Sequence, residues 1–152
     1  MKLGINGRTF GDDHALDADI LVAAVNGFAS LDILVSKLER YLAQPEFDIR
    51  DLTRLFLRTK PGALDGLVGV DFSDGARNAL LERAEHLFKQ ARRVGAPTVI
   101  LYPAEKLHSD EESVDGLTAL AALAQRWSIR LAVAPAPRAQ GPLASYATLA
   151  PL

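Results

Sequence analysis

Asn6, Arg8, Asp32, Lys37, Asp71, Tyr102, Glu105 and His108 are the residues of this chain best placed to do chemistry. Each ends or closely follows a short apolar run, and parallel α/β folds carry their functional groups beyond the C-terminal ends of strands. Arg8 offers a guanidinium fork suited to a carboxylate or phosphate on a ligand. His108, with Glu105 three residues earlier, could bind a metal or relay protons from a loop. For each the plainer reading weighs more: a surface arginine, a solvated loop histidine, and for Asp32 a carboxylate hydrogen-bonded inside the sheet. His86 lies on the flank of a helical stripe, and His14 carries no signal. The basic run of Lys89, Arg92 and Arg93 suits the last turn of a helix, whose dipole favours cations there.

The elements that position these residues follow from periodicity. Apolar runs at Leu3–Asn6, Leu31–Val35, Leu64–Val70, Thr98–Tyr102 and Ile129–Ala134 have the length and bounding residues of buried strands. Helical segments lie between them. The first places Ile20, Leu21, Ala24, Val25 and Phe28 on one face, with Gly27 as a left-handed end residue. The second opens on Asp48 as N-cap and places Ile49, Leu52, Leu55 and Phe56 together. The third carries Leu80, Ala84, Leu87, Phe88 and Ala91, with Ser73 or Asp74 as cap and Gly95 past its end. The fourth starts on a capping box, Ser109 to Glu112, and turns Val114, Leu117, Ala121, Ala124 and Trp127 inward. After the fifth strand, Pro135, Pro137, Gly141 and Pro142 make a turn-rich loop, and Ser145 starts a possible short helix. Strands alternating with amphipathic helices give parallel βαβ units, in a barrel or an open doubly wound sheet. The first turn, Gly4-Ile-Asn-Gly7-Arg-Thr, lacks the glycine pattern of a dinucleotide site.

Composition narrows the class of partner. The 152 residues are 49% hydrophobic and 24% charged, as expected of one globular domain spanning 1–152. The 17 basic and 19 acidic side chains interspersed along the chain, with a formal charge of −2, argue against a phosphate-tracking surface of the sort nucleic-acid binders carry. There is no cysteine, so disulfides, thiolate nucleophiles and Cys-based zinc sites are all excluded. No apolar run suggests a signal peptide or membrane span, and the expected location is cytoplasmic.

Four stretches together resemble one family: Lys2-Leu-Gly-Ile-Asn6, Asn26-Gly-Phe-Ala-Ser-Leu-Asp-Ile33, Lys37-Leu-Glu-Arg-Tyr-Leu42 and Ala91-Arg-Arg-Val-Gly-Ala-Pro-Thr-Val-Ile100. Their order and spacing are similar to the xylose isomerase-like TIM barrels, above all the sugar-phosphate isomerase/epimerase and inosose isomerase branch. The resemblance implies an incomplete (β/α) barrel of five parallel strands and four main helices. It implies a divalent metal, Mg or Mn, held at the barrel mouth by carboxylates and a histidine of later strands, and Asp32 resembles an acid the family often carries in strand two. The first ligand, usually a glutamate of strand five, falls at or near Ala134. A methyl group cannot coordinate a hard cation, so no metal or other cofactor is expected for the isolated chain. Two functions stand: a degenerate isomerase or epimerase-like protein with a small polyol or sugar ligand, or a non-enzymatic binding or assembly module. With strands one and five as open edges and an inner face of Ile5, Ile33, Leu101 and Val133, or their alternating neighbours, the chain is expected to form a homo-oligomer, simplest a dimer, or to pair with a missing C-terminal half-barrel.

Overall fold

The computed structural model of the protein describes residues 2–104 and 109–134. The glutamate at 105, His108 and everything from Pro135 onward, including the turn-rich loop and the helix expected from Ser145, lie outside the described residues.

Five parallel strands, β1 (Gly4–Asn6), β2 (Ser30–Leu34), β3 (Lys60–Val70), β4 (Thr98–Pro103) and β5 (Arg130–Val133), pair in the order in which they occur in the chain. That order decides what periodicity leaves open. A doubly wound sheet reverses direction at a switch point, whereas successive right-handed crossovers that never reverse keep every helix on one face and curl the sheet towards a barrel.

The helical face holds the core. Leu31, Ile33, Leu64, Leu67, Val99 and Leu101 are fully buried against side chains of α1 (Leu16–Val25), α2 (Val35–Leu42), α3 (Ile49–Leu55), α4 (Arg77–Val94) and α5 (Asp110–Arg126). Ile33 and Leu101 therefore point to the helices, and Ile5 and Val133 pack partly buried on the same cluster. The alternating neighbours form the opposite, inner face, and these are Asn6, Asp32, Ile100, Tyr102 and Ala132. It is far more polar than an aliphatic barrel lining.

Among the described residues there are five α-helices and not four, because two short helices, α2 and α3, fill the single β2–β3 crossover. Val35 begins α2 directly after β2, so no loop marks the boundary. β3 starts at Lys60, earlier than its apolar run suggests, and contains Pro61. Pairing with β4 begins only at Ala63, so the missing N–H of Pro61 faces no strand on that side, as proline in a sheet requires.

Two helices are rotated from the expected faces. On α1 the buried set is Leu16, Asp19, Ile20 and Ala23, while Leu21 and Val25 are exposed. On α5 it is Ser113, Gly116, Leu120, Leu123 and Ala124, with Val114 and Ala121 exposed. Gly116 sets the approach of α5: a Cβ there would lie 2.5 Å from Cδ1 of Phe72. The end signals hold in part. Asp48 caps α3, Ser109 and Glu112 form a reciprocal capping box, and Gly95 closes α4 at φ 81°. Neither Ser73 nor Asp74 caps α4, because a 3-10 turn over Asp74–Ala76 leads into it and its N-cap is Ala76.

Candidate functional site

Asp65 organises the mouth of the sheet. A register shift in β3 between Asp65 and Leu67 leaves Gly66 as an extra residue, and such a bulge re-aims the side chains beside it. Asp65 alternates with the core-facing Leu64 and so lies on the inner face, where its side chain is fully buried, and the bulge after it returns Leu67 to the core side. The Arg8 guanidinium meets it through two bonds, Nε to Oδ2 at 2.9 Å and Nη2 to Oδ1 at 2.8 Å. Asn6 Nδ2 donates to Oδ2 at 3.2 Å, and the Tyr102 hydroxyl donates to the same oxygen at 3.2 Å. Four donors thus satisfy one carboxylate, which offsets the cost of burying its charge.

Local structure places each donor. Asn6 ends β1 and its Oδ1 accepts from the Arg8 N–H at 2.8 Å, starting the 3-10 turn Gly7–Phe10 that carries the arginine back over the sheet. Arg8 also lies 4.8 Å from the centre of the Tyr102 ring, in cation–π range. Its bond to Asp65 raises its pKa above the ordinary arginine value, so it stays charged at every working pH. The side chain is nevertheless 52% exposed. The Nη1 group stands outside the fork with Asp65.

Asp32 lies beside this knot. Asn6 Nδ2 reaches its Oδ2 at 3.4 Å, and Gly62, where any Cβ would collide with Asp32 Oδ1, lets the carboxylate lie against β3. Burial raises the Asp32 pKa; hydrogen bonds from the Ala63 backbone and Asn6 pull it back, and the charge of Asp65 adds to the rise. Burial is also the leading cause of a raised Tyr102 pKa. Two half-buried groups with displaced proton affinity therefore flank a fixed ion pair.

Asn6, Arg8, Asp32 and Tyr102 are thus brought together, as their strand ends suggest. Lys37 is not. It sits on α2 in the outer layer, 2% exposed, with Nζ 2.6 Å from Asp19 Oδ2 of α1. A cavity of about 380 Å³ lined by His14, Lys37, Arg40 and Tyr41 belongs to that helical layer and not to the mouth. The Asp71 Oδ1 accepts from Ser73 N–H at 2.9 Å and shapes the turn after β3. His86 is exposed on α4. Sequence reasoning misses Asp65 itself, although a lone acid inside the apolar run Ala63–Val70 is the kind of signal that marks such a site.

A divalent metal does not fit the described residues. Ala134 follows β5 with no oxygen donor on its side chain, and its N–H donates to Leu101 O at 2.8 Å. The Asp65 oxygens are already engaged by four donors, and among the described residues no three His, Asp or Glu side chains cluster as a metal site would need. Among the same residues no helix is long and apolar enough to cross a membrane.

No protein-family model and no curated protein matches the sequence. Solved structures do. The IolI protein, whose structure holds a zinc atom, superposes at TM-score 0.76 with 26% identity, covering 88% of this chain and 51% of that one. A xylose isomerase domain-containing protein from Salmonella typhimurium matches at TM-score 0.71 and 17% identity, over 88% and 49% of the two chains. The probable 3-DHS dehydratase AsbF from Bacillus anthracis matches at 0.71 and 14%, over 91% and 54%. The chain therefore spans about half the length of these structures. At the level of fold they bear out the xylose isomerase-like TIM barrel read from the sequence.

Proposed function

We propose, from the premise that the chain has the fold of the first five strands of a xylose isomerase-like TIM barrel, that it binds a small polyol or sugar at the mouth of β1 to β4. The isolated chain, in this reading, does not turn that ligand over. The observation that carries it is the convergence of Arg8, Asp32 and Tyr102 around the saturated Asp65, which leaves both donors and an acceptor for a hydroxylated ligand. Asp65 acts as positioning residue: it holds the guanidinium so that Nη1 can donate to ligand oxygens. Asp32 accepts a hydroxyl, and its raised pKa lets it hold or release a proton on a bound ligand. Proton movement alone is half of sugar isomerisation. The carbonyl must also be polarised, a task suited to a Lewis-acidic metal such as the zinc held in the IolI structure.

Calorimetric titration with sugars, sugar phosphates and inososes tests the binding. A ligand whose affinity drops tenfold or more in Arg8→Lys, which keeps a cation beside the buried Asp65 but removes the guanidinium fork, is expected. Failure of every such ligand to bind overturns the reading. Turnover assays with Mg²⁺, Mn²⁺, Co²⁺ or Zn²⁺ should be silent, and metal-dependent turnover abolished by a chelator would overturn the inert half of the proposal. A second reading, a non-enzymatic binding or assembly module built on this half-barrel, is favoured by Ala134 at the end of β5. It predicts protein binding without any sugar affinity.

A further inference from the structure

The outer layer carries a surface that the mouth does not explain. α1 is apolar on both sides: Leu16, Ile20 and Ala23 are buried, yet Leu21 is 64% and Val25 74% exposed. A contiguous exposed aliphatic patch beside a buried helical face marks an interaction surface. Beside it, Leu55 at the end of α3 is 43% exposed and Leu57, just after it, 86%. These four side chains, with Ile20 and Ala24, line one groove of about 230 Å³ between α1 and the α3 end, and its other two lining residues are Asp17 and Arg58.

We infer that this groove is a self-association surface, and that its occupant is α1 of a second copy of the chain, packed antiparallel across a two-fold axis. Three features select that occupant. The exposed aliphatic side chains offer on the order of 500 Å² of apolar surface, and with a polar rim this approaches the roughly 800 Å² per partner of a standard stable interface. The rim charges are opposite in sign and lie towards opposite ends: Asp17 is in the first turn of α1, whereas Arg58 directly precedes Thr59 and the start of β3, near where α1 ends. A two-fold rotation about the groove centre reverses the ends, so each Asp17 meets the Arg58 of the other copy and each apolar centre covers the other. Neither charge is committed elsewhere in an ion pair among the described residues. The interface lies on the helical side, away from the mouth, so it leaves the ligand groups of Arg8 and Asp32 open.

Sedimentation equilibrium on the full chain over a micromolar range is the test. The wild type should dimerise. Asp17→Arg and Arg58→Asp should each weaken self-association at least tenfold, since like charges then face each other at both rims. An equimolar mixture of the two variants should recover the wild-type affinity, because both cross-copy pairs become opposite in sign again. An intramolecular role for the charges cannot give that recovery. Leu21→Gln and Val25→Ser, both at exposed positions and checked by circular dichroism for unchanged melting, should also weaken the dimer. A wild-type chain that stays monomeric overturns the inference, as does a dimer indifferent to these four substitutions, or a mixture that stays as weak as its components.

Discussion

Replacing Lys37 by Met isolates the strongest electrostatic commitment in the helical layer. Lys37 Nζ and Asp19 Oδ2 are 2.6 Å apart, with each side chain only 1% exposed. Asp19 Oδ1 has no hydrogen-bond partner, and the His14 Nδ1 stands 3.8 Å from it. Burial raises the Asp19 pKa, and Lys37 opposes that rise. Removing the lysine strands a buried carboxylate, which costs roughly 3–5 kcal/mol where such pairs have been broken. A whole domain is stable by only about 5–15 kcal/mol, and for a chain of this size the loss lowers Tm by about 10 °C. The double variant Asp19→Leu with Lys37→Met removes both charges and should stand within about 1 kcal/mol of wild type or above it, since well-packed apolar pairs often equal a buried ion pair. Acid should help the single variant. Without the lysine the Asp19 carboxyl binds its proton more tightly folded than unfolded, so the deficit shrinks as pH falls from neutral towards the ordinary carboxylate range. Urea unfolding of the wild type, both single variants and the double variant at pH 7 and pH 5 measures all of this. A Lys37→Met cost under about 1 kcal/mol, or a double variant as unstable as the sum of the singles, would refute the reasoning.

The raised Asp32 pKa gives a second pH effect of definite sign: the folded state holds the proton more tightly, so this group's contribution to stability falls as pH rises from about 3.9 through the folded value. Asp32→Asn should therefore gain on wild type at pH 7 relative to pH 4, as read from paired urea melts; an equal or smaller difference at pH 7 counts against it. Ser109→Ala removes the Oγ that accepts from the Glu112 N–H, leaves the backbone half of the capping box on α5 in place, and should cost about 1 kcal/mol by the same assay. Gly116→Val should cost more than that cap, because its Cβ meets the buried Phe72 ring and neither backbone can retreat. Ala134→Glu alone should not confer tight Mn²⁺ binding in calorimetry, since one carboxylate is too few for a hard cation.

Much of the architecture is written along the chain. Five apolar runs separated by amphipathic stretches are enough for parallel βαβ units, because a parallel neighbour demands a long crossover. Ends are legible where one side chain bonds its own backbone, as at Asp48 and Ser109, or where only glycine tolerates the turn, as at Gly95. Strand ends likewise point to Asn6, Arg8, Asp32 and Tyr102. What fails is everything that depends on a neighbour distant in sequence. Periodicity does not choose barrel over open sheet; in the sequence the family resemblance alone makes that choice, and the strand order agrees with it. Periodicity misplaces the faces of α1 and α5 because Asp19 is buried by Lys37 and Gly116 by Phe72, pairings that make a charge and a glycine inward-facing. Asp65 escapes notice because its meaning comes from Arg8, 57 residues away in sequence. Its carboxylate can be buried only once four donors from β1, the 3-10 turn and β4 converge on it. Sequence alone determined which local segments become strands and helices; tertiary structure alone decided which polar groups could be satisfied together, and so where the site is.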